Sequence, residues 1–346
     1  MEDAAVLAES VFGTTYGKTA NGLVRYSKRF RIKSVIDSTQ AGKDAGSVLF
    51  NRIANIPIVS SVKESIAIGA KTLIVGIATD GGVLPEKYRP FINQALNNSL
   101  DIVSGLHEFI SDDPEFSKLA SSTGSKITDV RKMFRDRKDL FTGRILDVTS
   151  KKIAVLGTDS AVGKRTTAVF LSDTMERRGI NSVMIGTGQT SWMQGFKYTI
   201  VLDAIVNDFV SGALETVALQ AWDELHPEFM YLEGQGSVIH PAYPGSYEII
   251  GALHPDAIIL QHAPKRLFYD GFDRFRIPPL EKYIKILELM SDKKVIAISV
   301  NKENMTPQEV QSYIKDTQNK FGIPVFDPLG NLSDIAGYVK DTVNGP

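Results

Sequence analysis

The stretch IAVLGTDSAVGKRTTAVFL, Ile153 to Leu171, constrains the fold more than any other part of the chain. An apolar run ending at Leu156 reads as a buried strand, Gly157 to Gly163 as a polar loop bounded by glycines, and Lys164, Arg165, Thr166 and Thr167 as the opening of a helix. Strand, loop and helix in that order aim backbone N–H groups and the positive end of a helix dipole at one point, where a lysine can reach the outer phosphates of a ligand. A phosphate-binding loop is therefore expected, with Gly157, Thr158, Asp159, Ser160, Ala161, Val162, Gly163, Lys164, Arg165, Thr166 and Thr167 as its contacts. Two departures matter. The first glycine lies one residue earlier than in G-x4-G-K-[ST], and Arg165 takes the Ser/Thr position. Arginine cannot ligate Mg2+, so a metal would fall to Thr166, Glu233 or water; alternatively the guanidinium adds a bidentate phosphate contact.

Around this loop, short apolar runs alternate with longer amphipathic stretches. SVID (Ser34 to Asp37), IPIVS (Ile56 to Ser60), TLIVGIA (Thr72 to Ala78) and DIVSG (Asp101 to Gly105) read as buried strands. Ser111 to Arg144, with KMFRDRKDLF inside it, is charged and reads as surface helix and connector. The rhythm then restarts with KKIAVLG, SVMIG, FMYLEG, DAIIL, KVIAISV and IPVFD, separated by helical patterns at Arg165 to Arg178 and Asp203 to Trp222. The expected fold class is α/β with two domains: a Rossmann-like α/β domain over 1–148, and over 149–346 a P-loop NTPase-like domain with a mainly parallel sheet. GTTYGKTA from Gly13 faintly echoes the phosphate loop, and we read the echo as chance.

Composition narrows the partners. The 346 residues carry 39 Lys plus Arg against 40 Asp plus Glu, a net charge of -1, so no global field favours nucleic acid, although a small anion needs only a local site. There is no cysteine, which removes disulfides, iron–sulfur clusters and thiol nucleophiles together. No apolar run approaches the ~20 residues of a bilayer span, and MEDAAVLAES lacks the pattern of a signal peptide. A cytoplasmic protein without a membrane partner is expected.

Ligands of parallel sheets bind beyond the carboxyl ends of the strands, so the residues after each apolar run are further candidates. In QHAPKR, His262, Lys265 and Arg266 could hold substrate carboxylates or form a solvated basic turn. His240, seven residues after Glu233, is a general-base candidate, or a His-Pro turn bonded to its own loop. GTGQTSWMQG offers Gln189 as a substrate contact. Asn301, followed by Lys302, stands where many P-loop proteins pack the base, and no guanine-reading Asp follows, so adenine is favoured if a nucleotide binds. Asp203, Asp208 and Glu215 read as a solvent-facing acidic stripe. VIDSTQAGKDAG and GIATDGG could take a second substrate, but are equally the turns that an α/β domain needs.

GTDSAVGKRTT, followed by Glu233, Gly234 and Gly236 in FMYLEGQGSVIHP, resembles the loop and the magnesium-binding glutamate of dethiobiotin synthetase. With VIDSTQAGKDAG, SGLHEFI, LDAIVNDFVSGALE and YLEGQGSVIHPAYPG, nearly the whole chain resembles a two-domain P-loop family, formerly a domain of unknown function. Its characterised members are D-glutamate N-acetyltransferases using acetyl-CoA. The resemblance implies a P-loop holding acetyl-CoA or ATP, His240 as base, Lys164 and Glu233 at the reacting phosphate or acyl group, and Lys265 with Arg266 on the amino-acid substrate's carboxylates. Such P-loop relatives often dimerise, so a homo-oligomer is expected. Two other readings stay open: a Mg-ATP-dependent ligase or kinase-like enzyme, and a nucleotide-dependent sensor.

Overall fold

The computed structural model describes residues 1–345. Two compact units divide the chain: Met1–Asp136 with Gly188–Lys197 and Asp203–Ile205, and Arg137–Thr187 with Tyr198–Leu202 and Val206 onward.

The first unit is built on β1 (Glu2–Leu7), β2 (Phe30–Ile36), β3 (Ile58–Val59), β4 (Thr72–Val75), β5 (Asp101–Ser104) and β6 (Ile127–Asp129). They form one parallel sheet in the order β3-β2-β1-β4-β5-β6, the order of a dinucleotide-fold sheet, with its switch point between β1 and β4. Leu7, Ile36, Leu73, Val75, Ile92, Leu96 and Phe116 pack into its core. Four strands match the apolar runs in the sequence; β1 and β6 were not anticipated. β1 is EDAAVL, in which small alanines replace a β-branched run, yet Ala4 and Ala5 are fully buried at the centre of the sheet. GTTYGKTA follows β1 and opens the helix Lys18–Arg25, so its likeness to the phosphate loop reflects a shared strand-turn-helix geometry.

The second unit holds β7 (Lys151–Gly157), β8 (Ser182–Ile185), β9 (Phe229–Glu233), β10 (Ala257–His262), a hairpin of β11 (Phe268–Tyr269) and β12 (Phe272–Arg276), then β13 (Val295–Val300) and β14 (Val325–Phe326). The six-stranded sheet runs β14-β13-β10-β7-β9-β8, parallel throughout. Strand β7 is buried along Ile153 to Leu156, which explains its continuous apolar run. The helix Lys164–Arg177 follows it, as expected.

The charged stretch holds a surface helix, Pro114–Thr123, and a connector, but KMFRDRKDLF itself has only the end of a 3-10 turn, Arg131–Met133, before the irregular connector. Two expectations about the acidic residues fail. Asp203 lies in a 3-10 turn, Leu202–Ala204, ahead of the helix Asn207–Leu225. The acidic stripe is also absent: Glu215 is buried and accepts the amides of Thr142 (2.6 Å) and Ile145 (3.0 Å). VIDSTQAGKDAG is structural. Asp37 accepts the amides of Phe12 and Thr39, and Asp44 those of Gly46, Ser47, Ala54 and Ile56, which leaves neither carboxylate for a ligand. Among the described residues, no helix is long and apolar enough to cross a membrane.

Candidate functional site

The phosphate loop of the second unit leaves β7 at Gly157 and enters the helix Lys164–Arg177 through Gly163, an N-cap that supplies no side-chain acceptor. The amides of the first helical turn have no intrahelical partner, so an external anion can satisfy them. Lys164 is buried, and its Nζ donates to the carbonyl of Asp159 at 2.7 Å, which curls the loop around the ammonium group. Two glycines make this possible. A Cβ on Gly157 would stand 2.8 Å from Lys164 Cδ, and one on Gly234 would stand 3.0 Å from the same atom and 2.5 Å from the Val155 carbonyl. The lysine stem thus passes between the end of β7 and the turn after β9, which gives the two sequence motifs one physical purpose.

Asp159 anchors the loop from below. Its side chain is fully buried; Oδ1 accepts the Ser160 amide at 2.6 Å, and Oδ2 accepts Arg266 Nη1 at 2.9 Å and the Asp270 amide at 3.0 Å. Burial would raise its pKa, but His240, Arg266 and the Asp270 amide together hold it below the usual carboxylate range. Tyr283 donates to the Thr158 carbonyl at 2.8 Å and meets the Tyr269 hydroxyl at 2.6 Å. Asn301 Nδ2 donates to the Val162 carbonyl at 3.0 Å, tying the end of β13 to the loop.

Several roles expected from sequence change at this level of detail. His240 is enclosed: Nδ1 accepts the amides of Ala242 and Tyr243, both at 3.0 Å, and Nε2 lies 3.2 Å from Asp159 Oδ1. With its one lone pair spent on two amides, the ring cannot accept a substrate proton. Lys265 forms an exposed pair with Glu309 at 2.6 Å, whereas the largely buried Arg266 is held by Asp159, the Ser160 carbonyl and Glu303 and so serves the loop. His262 is pushed down to about 4 by burial, and its Nδ1 lies 3.0 Å from Thr158 Oγ1; it is neutral at physiological pH and offers an anion no charge. Thr167 is buried beneath the loop, where its hydroxyl donates to Gln261 Oε1 and meets Ser299 Oγ. Gln189 belongs to the first unit, where Arg131 Nη2 donates to it at 3.3 Å.

Arg165 and Glu233 face one another, with Nε 2.8 Å from Oε1. The other carboxylate oxygen accepts the Thr187 amide at 3.0 Å. A magnesium site on Thr166 and Glu233 does not fit this donor set, because both Glu233 oxygens are already engaged, one of them by a cation. Among the described residues, no group of three or more His, Asp or Glu could hold a metal ion. A polyphosphate does fit. Arg165 has more N–H donors than Glu233 can take up. Gln261, which the sequence reading did not single out, has a buried Nε2 without a partner among the described residues, 3.7 Å from where a Gly163 Cβ would stand. Its signal was positional: β10 lies next to β7 in the sheet, and Gln261 is near its carboxyl end.

Comparison with known proteins agrees with this architecture. Residues 139–335 match a family model described as a domain of unknown function (DUF1611_C), P-loop domain, and residues 38–133 match its partner, the DUF1611_N Rossmann-like domain. A protein of Tritonibacter scottomollicae named D-glutamate N-acetyltransferase is 32% identical over 81% of this chain and 85% of its own length. One of the same name from Pseudoalteromonas is 31% identical over 78% of this chain and 81% of its own. The crystal structure of a DUF1611 family protein from Anabaena variabilis superposes with a TM-score of 0.89 at 27% identity, covering 98% of this chain and 99% of that one. The chain therefore belongs to the DUF1611 family, with a Rossmann-like amino-terminal domain and a P-loop carboxyl-terminal domain.

Proposed function

We propose that the protein is an N-acetyltransferase that moves the acetyl group of acetyl-CoA to the amine of D-glutamate or a closely similar amino acid. The observation that carries this reading is a loop built for phosphate, Gly157 to Thr166, in a chain about one third identical to two proteins named for that activity. Coenzyme A presents a pyrophosphate and a ribose phosphate. The first-turn amides of Lys164–Arg177, the Lys164 ammonium, Gln261 Nε2 and the remaining donors of Arg165 would hold them. The bound thioester supplies an activated acyl carbon; the chain's own residues bind and orient it, and Asp159 with its partners keeps the loop in shape.

The chief alternative is a Mg-ATP-dependent ligase, in which Glu233 would be a metal donor. Its engagement by Arg165 and the Thr187 amide favours the transferase. To test this, the purified protein is incubated with acetyl-CoA and D-glutamate in the presence of a chelator and without ATP. Free thiol and N-acetyl-D-glutamate should appear together in equal amounts, by thiol titration and mass spectrometry. Turnover that needs Mg-ATP and releases phosphate would instead establish the ligase, and tight ligand binding without either product would point to a sensor.

A further inference from the structure

The first unit carries a second cluster of chemistry that the phosphate loop does not use. It lies beyond the carboxyl ends of β4, β5 and β6, where parallel sheets hold their ligands. His107 follows β5, and its backbone amide donates to the Gly82 carbonyl at 2.9 Å in the turn after β4. That turn is fitted to the histidine: a Cβ on Gly82 would stand 2.5 Å from His107 Cδ2, so only glycine leaves room for the ring. Arg131, just past β6, grips Asp203 with Nε at 3.1 Å and Nη2 at 2.6 Å. The same carboxylate faces His107, with Oδ2 3.7 Å from Nε2.

The burial pattern separates support from reagent. The Arg131 side chain is 10% exposed, whereas His107 and Asp203 are 44% and 49% exposed. A buried guanidinium therefore holds both oxygens of a half-exposed carboxylate, and the imidazole beside it opens outward. The charged groups acting on His107 are Arg131 and Asp203, and Lys18 acts on Asp203 in turn. A half-exposed imidazole beside a fixed carboxylate suits a ligand that arrives with a proton-bearing amine, which the negative charge attracts and the neutral ring can relieve of a proton.

We propose that His107, positioned by Asp203 and Arg131, accepts the proton that the amino group of the amino-acid substrate must lose before it can act as a nucleophile. This rests on the transferase reading above. In the step, one N–H bond of the ammonium group breaks, its electron pair stays on nitrogen, and the proton bonds to the imidazole and passes from there to water. Burial first and Arg131 second lower the His107 pKa, and Asp203 opposes them, so the ring is neutral and able to take a proton near neutral pH.

The test uses the full chain. With only five histidines, the His107 ring resonance can be assigned by its loss in His107→Gln, a variant whose folding is checked by thermal melting. D-Glutamate alone, without acetyl-CoA, should move that resonance and its titration midpoint. His107→Gln should bind D-glutamate within about threefold of the parent in calorimetry, slow acetylation about a hundredfold or more, and abolish the acid limb of kcat/KM against pH. Asp203→Asn, which removes the charge that raises the His107 pKa, should shift the ring titration and the acid limb downward together. Retention of the parent rate and acid limb in His107→Gln, or a ring resonance indifferent to D-glutamate, would overturn the proposal. A parent protein that does not acetylate D-glutamate overturns the transferase reading instead, and the ring titration with D-glutamate alone still decides whether this is an amino-acid site.

Discussion

At the residue scale, the carboxylate of Asp159 illustrates how a loop with the shape of an anion site is itself held by an anion. It is fully buried, yet it collects Arg266, the amides of Ser160 and Asp270, and the neighbouring His240. An ionised group in that position is tolerable only because its partners replace water, and removing it leaves their charge and polarity uncompensated. Asp159→Ala should therefore lose about 3–5 kcal/mol of stability, the range for breaking a buried pair, as read from the denaturant midpoint. A loss below about 1 kcal/mol would mean that Arg266 is adequately served by Glu303 and the Ser160 carbonyl. His240 takes one of the two roles its sequence offered, a turn bonded to its own loop through the Ala242 and Tyr243 amides. Lys265 and Arg266 carry the right chemical groups at the right strand ends, but whether their charge is already spent depends on Asp159, Ser160, Glu303 and Glu309, 37 to 107 positions away, which spacing does not report.

At the scale of elements, the strands that sequence revealed are those whose burial on both faces demands an unbroken apolar run, β7 above all. The ones it hid are short or made of small residues. β1 sits at the centre of its sheet with two alanines in a row, and β6 is the three-residue edge ITD. The connector 137–147 was legible from its charge, but what holds it was not. It is held by a single buried acid rather than by periodicity, since Glu215, on the helix Asn207–Leu225, takes the Thr142 and Ile145 amides and the Thr142 hydroxyl. Replacing Glu215 by Ala leaves those amides unsatisfied, at about 1–3 kcal/mol for each group that stays buried. We expect the connector to open locally, so that trypsin cleaves at Arg137, Lys138 or Arg144 much faster than in the parent while the sheets persist by circular dichroism. Unchanged cleavage would show that other contacts hold the connector. The phosphate loop, by contrast, was legible almost residue by residue, because strand, glycines, lysine and helix are adjacent in sequence. Glu233 was legible as a loop partner, while its pairing with Arg165 was not.

At the scale of the whole molecule, pH and ligand linkage report on the same buried groups. An unfolded imidazole titrates near 6.5, whereas His262 in the folded chain titrates at about 4 because burial disfavours its charge. The unfolded state therefore binds the extra proton between those values. Stability from this group is full above about pH 6.5 and falls as pH drops toward about 4, with a slope of up to about 1.4 kcal/mol per pH unit. Asp159, whose pKa is lowered, adds a further loss once pH falls below about 3.9 and through its folded value. His262→Gln should flatten the first limb and leave the second, in denaturation midpoints taken from pH 7 to pH 3; a limb between 6.5 and 4 unchanged in the variant would contradict this assignment. On the proposed function, Gly157 to Thr166, rather than a basic surface, gives this nearly neutral chain an affinity for the phosphates of an acetyl donor. The most direct test of that claim is calorimetric titration of acetyl-CoA, and of Mg-ATP in parallel, into the parent and into Lys164→Ala. Saturable acetyl-CoA binding that falls at least tenfold in Lys164→Ala is the predicted result, and acetyl-CoA binding that is absent in the parent, or untouched by the substitution, would contradict it.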